Sequence, residues 1–173
     1  MRRISAEYLY DGSSYEPLKN AYVEVADDGT VLAVGKVENP EAEPEFHKGA
    51  IVPGFVNTHC HLELSYLKGK FRKGTGMAGF IDQINEMRDT SSMEEKKSDI
   101  AFWMNEMWKR GVTAMGDISN CSDTFECKAD SPMYTRTFLE VFGTEPQDCQ
   151  DVIDNVLELQ KTAEQYGIDA APG

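Results

Sequence analysis

The sequence contains few basic residues for its length. It has 17 Lys and Arg residues against 30 Asp and Glu residues among 173, which gives a formal net charge of -13. A surface with that balance repels the phosphate backbone of nucleic acids and the anionic headgroups of membranes. We therefore expect neither nucleic acid nor a membrane surface as a partner.

Long apolar segments are also missing. The first residues carry two arginines, Arg2 and Arg3, but no apolar stretch of signal-peptide length follows them. No other stretch approaches the roughly 20 apolar residues that cross a bilayer. The sequence thus predicts a cytoplasmic protein.

The four cysteines form no recognisable motif. None of them is spaced as Cys-x-x-Cys; they are Cys60, Cys121, Cys127 and Cys149. In a reducing compartment this pattern does not favour a disulfide framework. Cys60 stands between two histidines, and strand alternation predicts that it faces away from them as a small apolar filler.

Those two histidines, His59 and His61, are the most informative feature of the sequence. They follow a short apolar run that a Pro-Gly pair interrupts, and we expect the run, made of Ile51, Val52, Phe55 and Val56, to be buried. In a regular strand the two imidazoles point the same way, roughly 6.6 to 7 Å apart, and can reach one cation. Catalytic zinc usually has three protein ligands, so the pair is an incomplete metal site.

The same spacing also occurs by chance, in histidines that bind no metal. The position at the end of an apolar strand favours the metal site, because the strands of an α/β barrel present catalytic residues at their C-terminal ends.

The stretch GAIVPGFVNTHCHLELS resembles the first barrel strand of the amidohydrolase superfamily, in its cytosine deaminase and chlorohydrolase-like branch. Within that branch, HCHLELS is most similar to aminodeoxyfutalosine deaminase-type sequences. The resemblance implies that His59 and His61 bind a zinc or iron ion, and that a histidine and an aspartate from later strands complete the site. It implies hydrolysis of a C–N bond (deamination) or a C–Cl bond in a small heterocyclic substrate by metal-bound hydroxide.

Residues 1–50 have the pattern of an all-β segment. Three strands are predicted, at Ile4–Tyr10, Ala21–Ala26 and Val31–Val37. Asp27–Thr30 carries the Asp-Gly signal of a hairpin turn. Pro40 and Pro44 mark an acidic linker, in which His47 is expected to be exposed. A hairpin is not stable alone, and the resemblance implies partner strands from the far C-terminus, so we predict a partial β-sandwich over residues 1–50.

In residues 51–173 helices and strands alternate, as in a parallel sheet or barrel. Ser92 and Glu95 form a capping box for a helix with an apolar face from Ile100 to Trp108, and Gly111 ends it. The further predicted elements are strands at Val112–Ile118 and Tyr134–Phe142, a helix capped by Thr144 and closed by Gly167, and a strand from Ile168.

The predicted fold is therefore an α/β, incomplete (β/α)8 TIM-type barrel with its first three to four βα units. A complete barrel takes about 250 residues, so we expect a piece of a longer polypeptide. Such a piece should be inactive, should hold metal weakly if at all, and should self-associate through exposed strand edges.

Three carboxylates are candidates for a substrate pocket. Glu63 would share the histidine face if the strand continued, or else lie in solvent at the rim. Asp117 ends one predicted strand and Glu140 interrupts another. A carboxylate inside an apolar run requires either a polar cavity or a partner, and the sequence favours a structural salt bridge or hydrogen-bond anchor over a pocket role for both.

Two other functions remain open. The chain could be a noncatalytic scaffold that binds no metal. Gly74–Gly79 also spells G-x-G-x-x-G, the dinucleotide-binding fingerprint. The basic stretch before it does not resemble a strand, so we favour a flexible loop that leads into a helix from Phe80 to Arg88 and is able to cover a substrate.

Overall fold

The computed structural model describes residues 1–43, 45–143 and 145–173. The chain divides into two compact units, Met1–Pro53 and Gly54–Gly173. Each unit contains one four-stranded sheet. No helix in the described part of the chain is both long and apolar enough to cross a membrane.

The first unit is a mixed sheet in the order β3-β2-β1-β4. Its strands are β1 (Arg2–Leu9), β2 (Leu18–Val25), β3 (Val31–Lys36) and β4 (Phe46–Ile51). The three predicted strands are present. The hairpin turn is confirmed, since the Ala26 amide donates to the Thr30 carbonyl at 2.9 Å and Gly29 adopts a φ of 88°, a conformation that glycine adopts readily.

The interpretation of the segment before residue 49 as a linker was wrong. Phe46–Ile51 forms strand β4, which pairs in parallel with β1. This pairing joins residues far apart in the sequence, so the acidic composition of the segment concealed it. His47 is exposed, as predicted. Pro44 lies outside the described residues.

The second unit is built on a parallel sheet in the order β5-β6-β7-β8, and the predicted α/β class with a parallel sheet is confirmed. Its strands are β5 (Phe55–Cys60), β6 (Val112–Ser119), β7 (Tyr134–Leu139) and β8 (Asp169–Pro172). Its helices are α1 (Gly76–Met87), α2 (Met93–Lys109), α3 (Phe125–Ala129) and α4 (Cys149–Gln165).

The predicted boundaries of α2 are confirmed. The Glu95 amide donates to Ser92 Oγ at 3.3 Å, and the Ser92 amide donates to Glu95 Oε2 at 2.8 Å, which completes the capping box. Gly111, with φ 85°, follows the C-terminus of the helix. Gly167 likewise follows α4 with φ 68°. The predicted cap Thr144 lies outside the described residues.

The core of the second unit lies between the sheet and its helices. One cluster of buried side chains joins the segment that follows β5 to α2, to β6 and to the residue before β7. It contains Leu62, Ile100, Met104, Met115 and Met133. A second cluster joins α3, β7 and α4; it contains Phe125, Leu139, Val156, Ala163 and Ile168. The helices thus cover one face of the sheet.

The apolar run before the histidines is not buried as predicted. Val52, Phe55 and Val56 are 45%, 58% and 61% exposed. Within the described residues β5 is an edge strand. Val56 pairs with Ala114 of β6, and Ala114 pairs with the exposed Tyr134 of β7. These three side chains lie on the face of the sheet that the helices do not cover.

Candidate metal centre

The two histidines lie side by side at the C-terminal end of β5. The strand ends at Cys60, so His59 is inside it and His61 follows directly. Their ring centroids are 5.4 Å apart and the ring planes cross at 74°. His59 is exposed and His61 is half-buried.

The imidazoles do not come together through the regular strand alternation that was predicted. Asn57 is paired with Met115 and Cys60 with Asp117, so three steps along β5 match two along β6, as at a β-bulge. Asn57 and Cys60 both approach the helix-covered face as a result, since Asn57 Nδ2 lies 3.6 Å from Met107 Sδ and Cys60 packs against the Leu62 cluster. The bulge re-aims the chain just before the second histidine.

The pair provides two suitable nitrogen ligands and no more. Among the described residues, none forms a hydrogen bond with either imidazole, and no group of three or more His, Cys, Asp or Glu side chains could hold a metal ion. Imidazole is a common zinc ligand, but zinc sites in proteins use at least three protein ligands. The donors present therefore fit part of a zinc site.

A cleft of about 310 Å3 opens beside His61. One side of it is polar and includes His61, Glu63, Asn120 and Glu140. The other side is a mostly apolar wall from α1, the residue after it and the chain after β7; it includes Phe80, Ile81, Ile84 and Phe142, together with Asn85 and Arg88. The cleft can receive a small molecule with one polar and one apolar side.

Glu63 reaches this cleft, but neither of the predicted placements was right. It lies in a 3-10 helix, Leu62–Leu67, that begins directly after His61, and it is only 5% exposed. Four donors surround its carboxylate: the Asn120 amide at 2.7 Å, Asn120 Nδ2 at 3.1 Å, and Ser119 Oγ and Cys121 Sγ, each at 3.2 Å. The turn after β5 directs Glu63 to the end of β6.

Asn120 also connects Glu63 to the second predicted carboxylate. Its Nδ2 donates to Glu140 Oε2 at 2.8 Å as well as to Glu63. Glu140 follows the last residue of β7 and does not interrupt the strand, which ends at Leu139 and not at Phe142 as predicted. Asn120 was not predicted as a site residue, although its place directly after a parallel strand was a usable signal.

Asp117 is separate from the cleft. It lies inside β6, two residues before the strand ends, and is fully buried. Its Oδ2 is 2.6 Å from Lys128 Nζ, and both side chains are 0% exposed. The structure therefore shows the ion pair that was the alternative to a pocket role. Lys128 was missed, because a lysine in a short polar segment gives no sequence signal of burial.

The G-x-G-x-x-G stretch has a structural role. A 3-10 helix and turns precede Gly74–Gly79, not the strand that a dinucleotide site requires. Gly76–Gly79 form the first turn of α1, which therefore begins before the predicted Phe80. Gln83 ties this turn to the chain before it: it accepts from the Arg72 amide at 2.7 Å and donates to Gly79 O at 2.8 Å and Thr75 Oγ1 at 3.2 Å. The segment thus holds α1, which forms the apolar wall of the cleft.

Cys60, between the histidines, is an inert thiol. Burial, and secondarily the nearby Asp117 carboxylate, raise its pKa to about 12. Its Sγ lies 3.8 Å from Met115 Sδ in the core. This placement agrees with the predicted role as a filler behind the strand.

We expect native thiol labelling to separate the cysteines. At pH near 8, iodoacetamide should modify the exposed Cys149 and leave Cys60 and Cys121 unmodified, because burial raises the pKa of both and only the thiolate reacts. Mass spectrometry of the labelled peptides measures this, with chain unfolded in urea as the control in which all four react. Labelling of Cys60 as fast as Cys149 in the native chain would contradict this account.

The sequence and the fold of this chain are similar to those of known proteins. No family model matches the sequence. The chain is 28% identical over 93 residues to a 5-methylthioadenosine/S-adenosylhomocysteine deaminase of Natronomonas pharaonis, covering 54% of this chain and 22% of that protein. It is 29% identical over 132 residues to an aminodeoxyfutalosine deaminase of Nitratiruptor sp., covering 69% of this chain and 31% of that protein.

The fold is shared with solved structures of similar proteins. Helicobacter pylori aminofutalosine deaminase, in complex with methylthio-coformycin, matches 99% of this chain and 43% of its own, with a TM-score of 0.75 and 23% identity. Atrazine chlorohydrolase TrzN from Arthrobacter aurescens TC1, complexed with zinc, matches 100% of this chain and 46% of its own, with a TM-score of 0.73 and 17% identity.

The resemblance to amidohydrolases is confirmed. The sequence relatives are deaminases, and the same fold occurs in a deaminase and a chlorohydrolase. This chain spans between 22% and 31% of the length of these two sequence relatives.

Proposed function

We propose that this chain is the N-terminal part of a metal-dependent hydrolase that removes an amino group or a chloride from a small heterocyclic substrate. The observation that carries the proposal is the pair of imidazoles, 5.4 Å apart at the C-terminal end of a parallel strand. The fold that it shares with deaminases and a chlorohydrolase supports the same reaction class.

In this proposal His59 and His61 hold a divalent ion, zinc or iron. Such an ion, when bound, lowers the pKa of water toward about 7 and so supplies hydroxide at neutral pH. The cleft beside His61 would orient the substrate: Glu140 accepts hydrogen bonds from its polar side, Glu63 holds Asn120 in place, and Phe80 and Ile84 pack against its apolar side.

The finer architecture is part of the proposal. Residues 1–50 would form part of a β-sandwich, and residues 51–173 the first three to four βα units of a barrel. The parallel order β5-β6-β7-β8, with helices on one face, supports a segment of barrel wall. A cytoplasmic location also belongs to the proposal.

We further propose that the chain by itself does not turn over substrate. Zinc sites use three or more protein ligands, and the chain provides two imidazoles in the described residues. Deamination of adenosine-type nucleosides by the purified chain, abolished by a chelator, would overturn this part.

Zinc titration tests the metal centre. We expect weak binding of one zinc ion per chain, and loss of most of that binding in His59→Ala and in His61→Ala, because each removes one of two ligands. His47→Ala is the matched control, since His47 lies in the first unit and is exposed. Isothermal titration calorimetry measures the affinity. If His59→Ala binds zinc as tightly as the His47→Ala control, the site is rejected.

We propose that a second copy of this chain is its partner. Phe55, Val56, Tyr134 and Phe138 are exposed on the second unit, and an open sheet with apolar exposed side chains tends to pair with another copy. We expect light scattering to report dimers or larger species at a chain concentration of roughly tens of micromolar, the range in which exposed apolar surface promotes association. A monomer throughout that range would count against it.

A further inference from the structure

The residues on both sides of His61 contact one buried carboxylate. Asp117 Oδ1 accepts a hydrogen bond from the Leu62 amide at 2.7 Å and lies 3.4 Å from Cys60 Sγ. Asp117 itself is 0% exposed. A residue in the neighbouring strand β6 therefore holds the chain at the position where it leaves β5.

The carboxylate is in turn fixed from its other side. Its Oδ2 pairs with Lys128 Nζ at 2.6 Å, and the same Nζ donates to Thr137 Oγ1 at 2.9 Å. Lys128 comes from α3 and Thr137 from β7. Lys128 therefore holds the carboxylate in a fully desolvated ion pair and is itself held by its hydrogen bond to Thr137, which restricts the position of Asp117.

The end of β5 requires such an anchor. Its register with β6 shifts between Asn57 and Cys60, and its side chains Val56 and His59 are exposed. Side-chain packing around His59 is therefore sparse, and we expect the backbone to set the direction in which the rings point.

We infer that Asp117 is a positioning residue for the imidazole pair: through the Leu62 amide it fixes the turn after His61, so that both rings face one ion, and Lys128 holds Asp117 in place. The biological role of this device rests on the proposed function. The geometry that it controls can be tested without turnover.

Copper(II) nitrilotriacetate is a suitable probe. It keeps coordination positions that a pair of convergent imidazoles can fill, and imidazole is a good ligand for copper(II). All proteins in the test carry His47→Gln and Cys149→Ser, which remove the exposed third histidine and the exposed thiol. The reference without the pair carries His59→Ala in addition. We expect it to bind the probe about 100-fold more weakly, because it offers one imidazole where the intact protein offers two held on the same chain.

Two double variants separate positioning from the ion pair. Asp117→Asn with Lys128→Met removes both charges but keeps an oxygen that can accept from Leu62. Asp117→Leu with Lys128→Met removes both charges and the acceptor, and keeps the number and branching of the side-chain heavy atoms of asparagine. The two proteins thus differ at one atom group that faces the Leu62 amide.

We expect the asparagine double variant to bind copper(II) nitrilotriacetate within about twofold of the reference with the intact pair, because its amide oxygen still accepts. The leucine double variant should bind about tenfold more weakly, the size of effect typical for loss of a partner that orients a metal ligand. Equal affinity of the two double variants, with matching circular dichroism spectra, would overturn the inference.

Amide hydrogen exchange of the unmodified chain covers the case in which the leucine variant does not fold. The Leu62 amide should exchange at least about 100-fold more slowly than a free amide, because its acceptor is buried. Exchange of Leu62 at the free rate would also overturn the inference. A protected Leu62 with no zinc bound by the chain would instead leave the positioning intact and reject the proposed metal centre.

Discussion

Replacing Lys128 by methionine is expected to lower the free energy of unfolding by about 3–5 kcal/mol, the typical cost of breaking a buried ion pair from one side. Both partners of the Asp117–Lys128 pair are 0% exposed. Methionine has a similar length but leaves Asp117 without its countercharge. The carboxylate must then either stay charged in an apolar interior or bind a proton, and both alternatives destabilise the native chain.

Urea unfolding followed by the fluorescence of Trp103 and Trp108 measures this change, because both reporters lie in α2 of the second unit. The matched control is Lys97→Met, which breaks the exposed ion pair of Lys97 with Glu126 and should cost at most about 1 kcal/mol. The double variant Asp117→Asn with Lys128→Met should recover much of the lost stability, since no charge is left unpaired. If Lys128→Met costs no more than Lys97→Met, the buried pair does not anchor the fold.

Truncation of Phe125 to alanine is expected to cost about 3–5 kcal/mol, the range for removing a buried aromatic side chain. Phe125 is 0% exposed and packs in the cluster that joins α3, β7 and α4. Its removal eliminates apolar burial and leaves a cavity that the surrounding helices can fill only in part.

Far-UV circular dichroism in urea measures this variant against Phe102→Ala. Phe102 is the same residue type on α2 but is 52% exposed, so its truncation should change the free energy of unfolding by less than about 1 kcal/mol. Equal costs for the two phenylalanines would show that the second cluster is not a packed core.

Local signals in the sequence predicted the regular elements well. The capping box of Ser92 and Glu95, the glycine after α2 and the Asp-Gly hairpin turn all act through neighbouring residues. Such interactions form within a few residues of the chain, so a pattern in the sequence is sufficient to locate them. Strand β4 was missed because its only signal is a parallel pairing with β1, which is distant in the sequence.

The candidate site shows the same division. The spacing of His59 and His61 indicated that they would lie together, and their rings are 5.4 Å apart. The sequence did not reveal the bulge between Asn57 and Cys60, the burial of Glu63 or the bridge that Asn120 makes to Glu140. Each of these depends on where the end of one strand lies relative to the end of another.

The sequence by itself determined the βα alternation, the helix caps, the histidine pair and the resemblance to amidohydrolases, because all of these are short-range patterns of residue type. The tertiary structure decided which carboxylates line a cleft and which one is neutralised. Glu63 and Glu140 share a neutral amide donor at the cleft, whereas Asp117 meets the ammonium group of Lys128 in the interior. The partners of a buried charge come from other strands and helices, and only the packing of those elements brings them within hydrogen-bond distance.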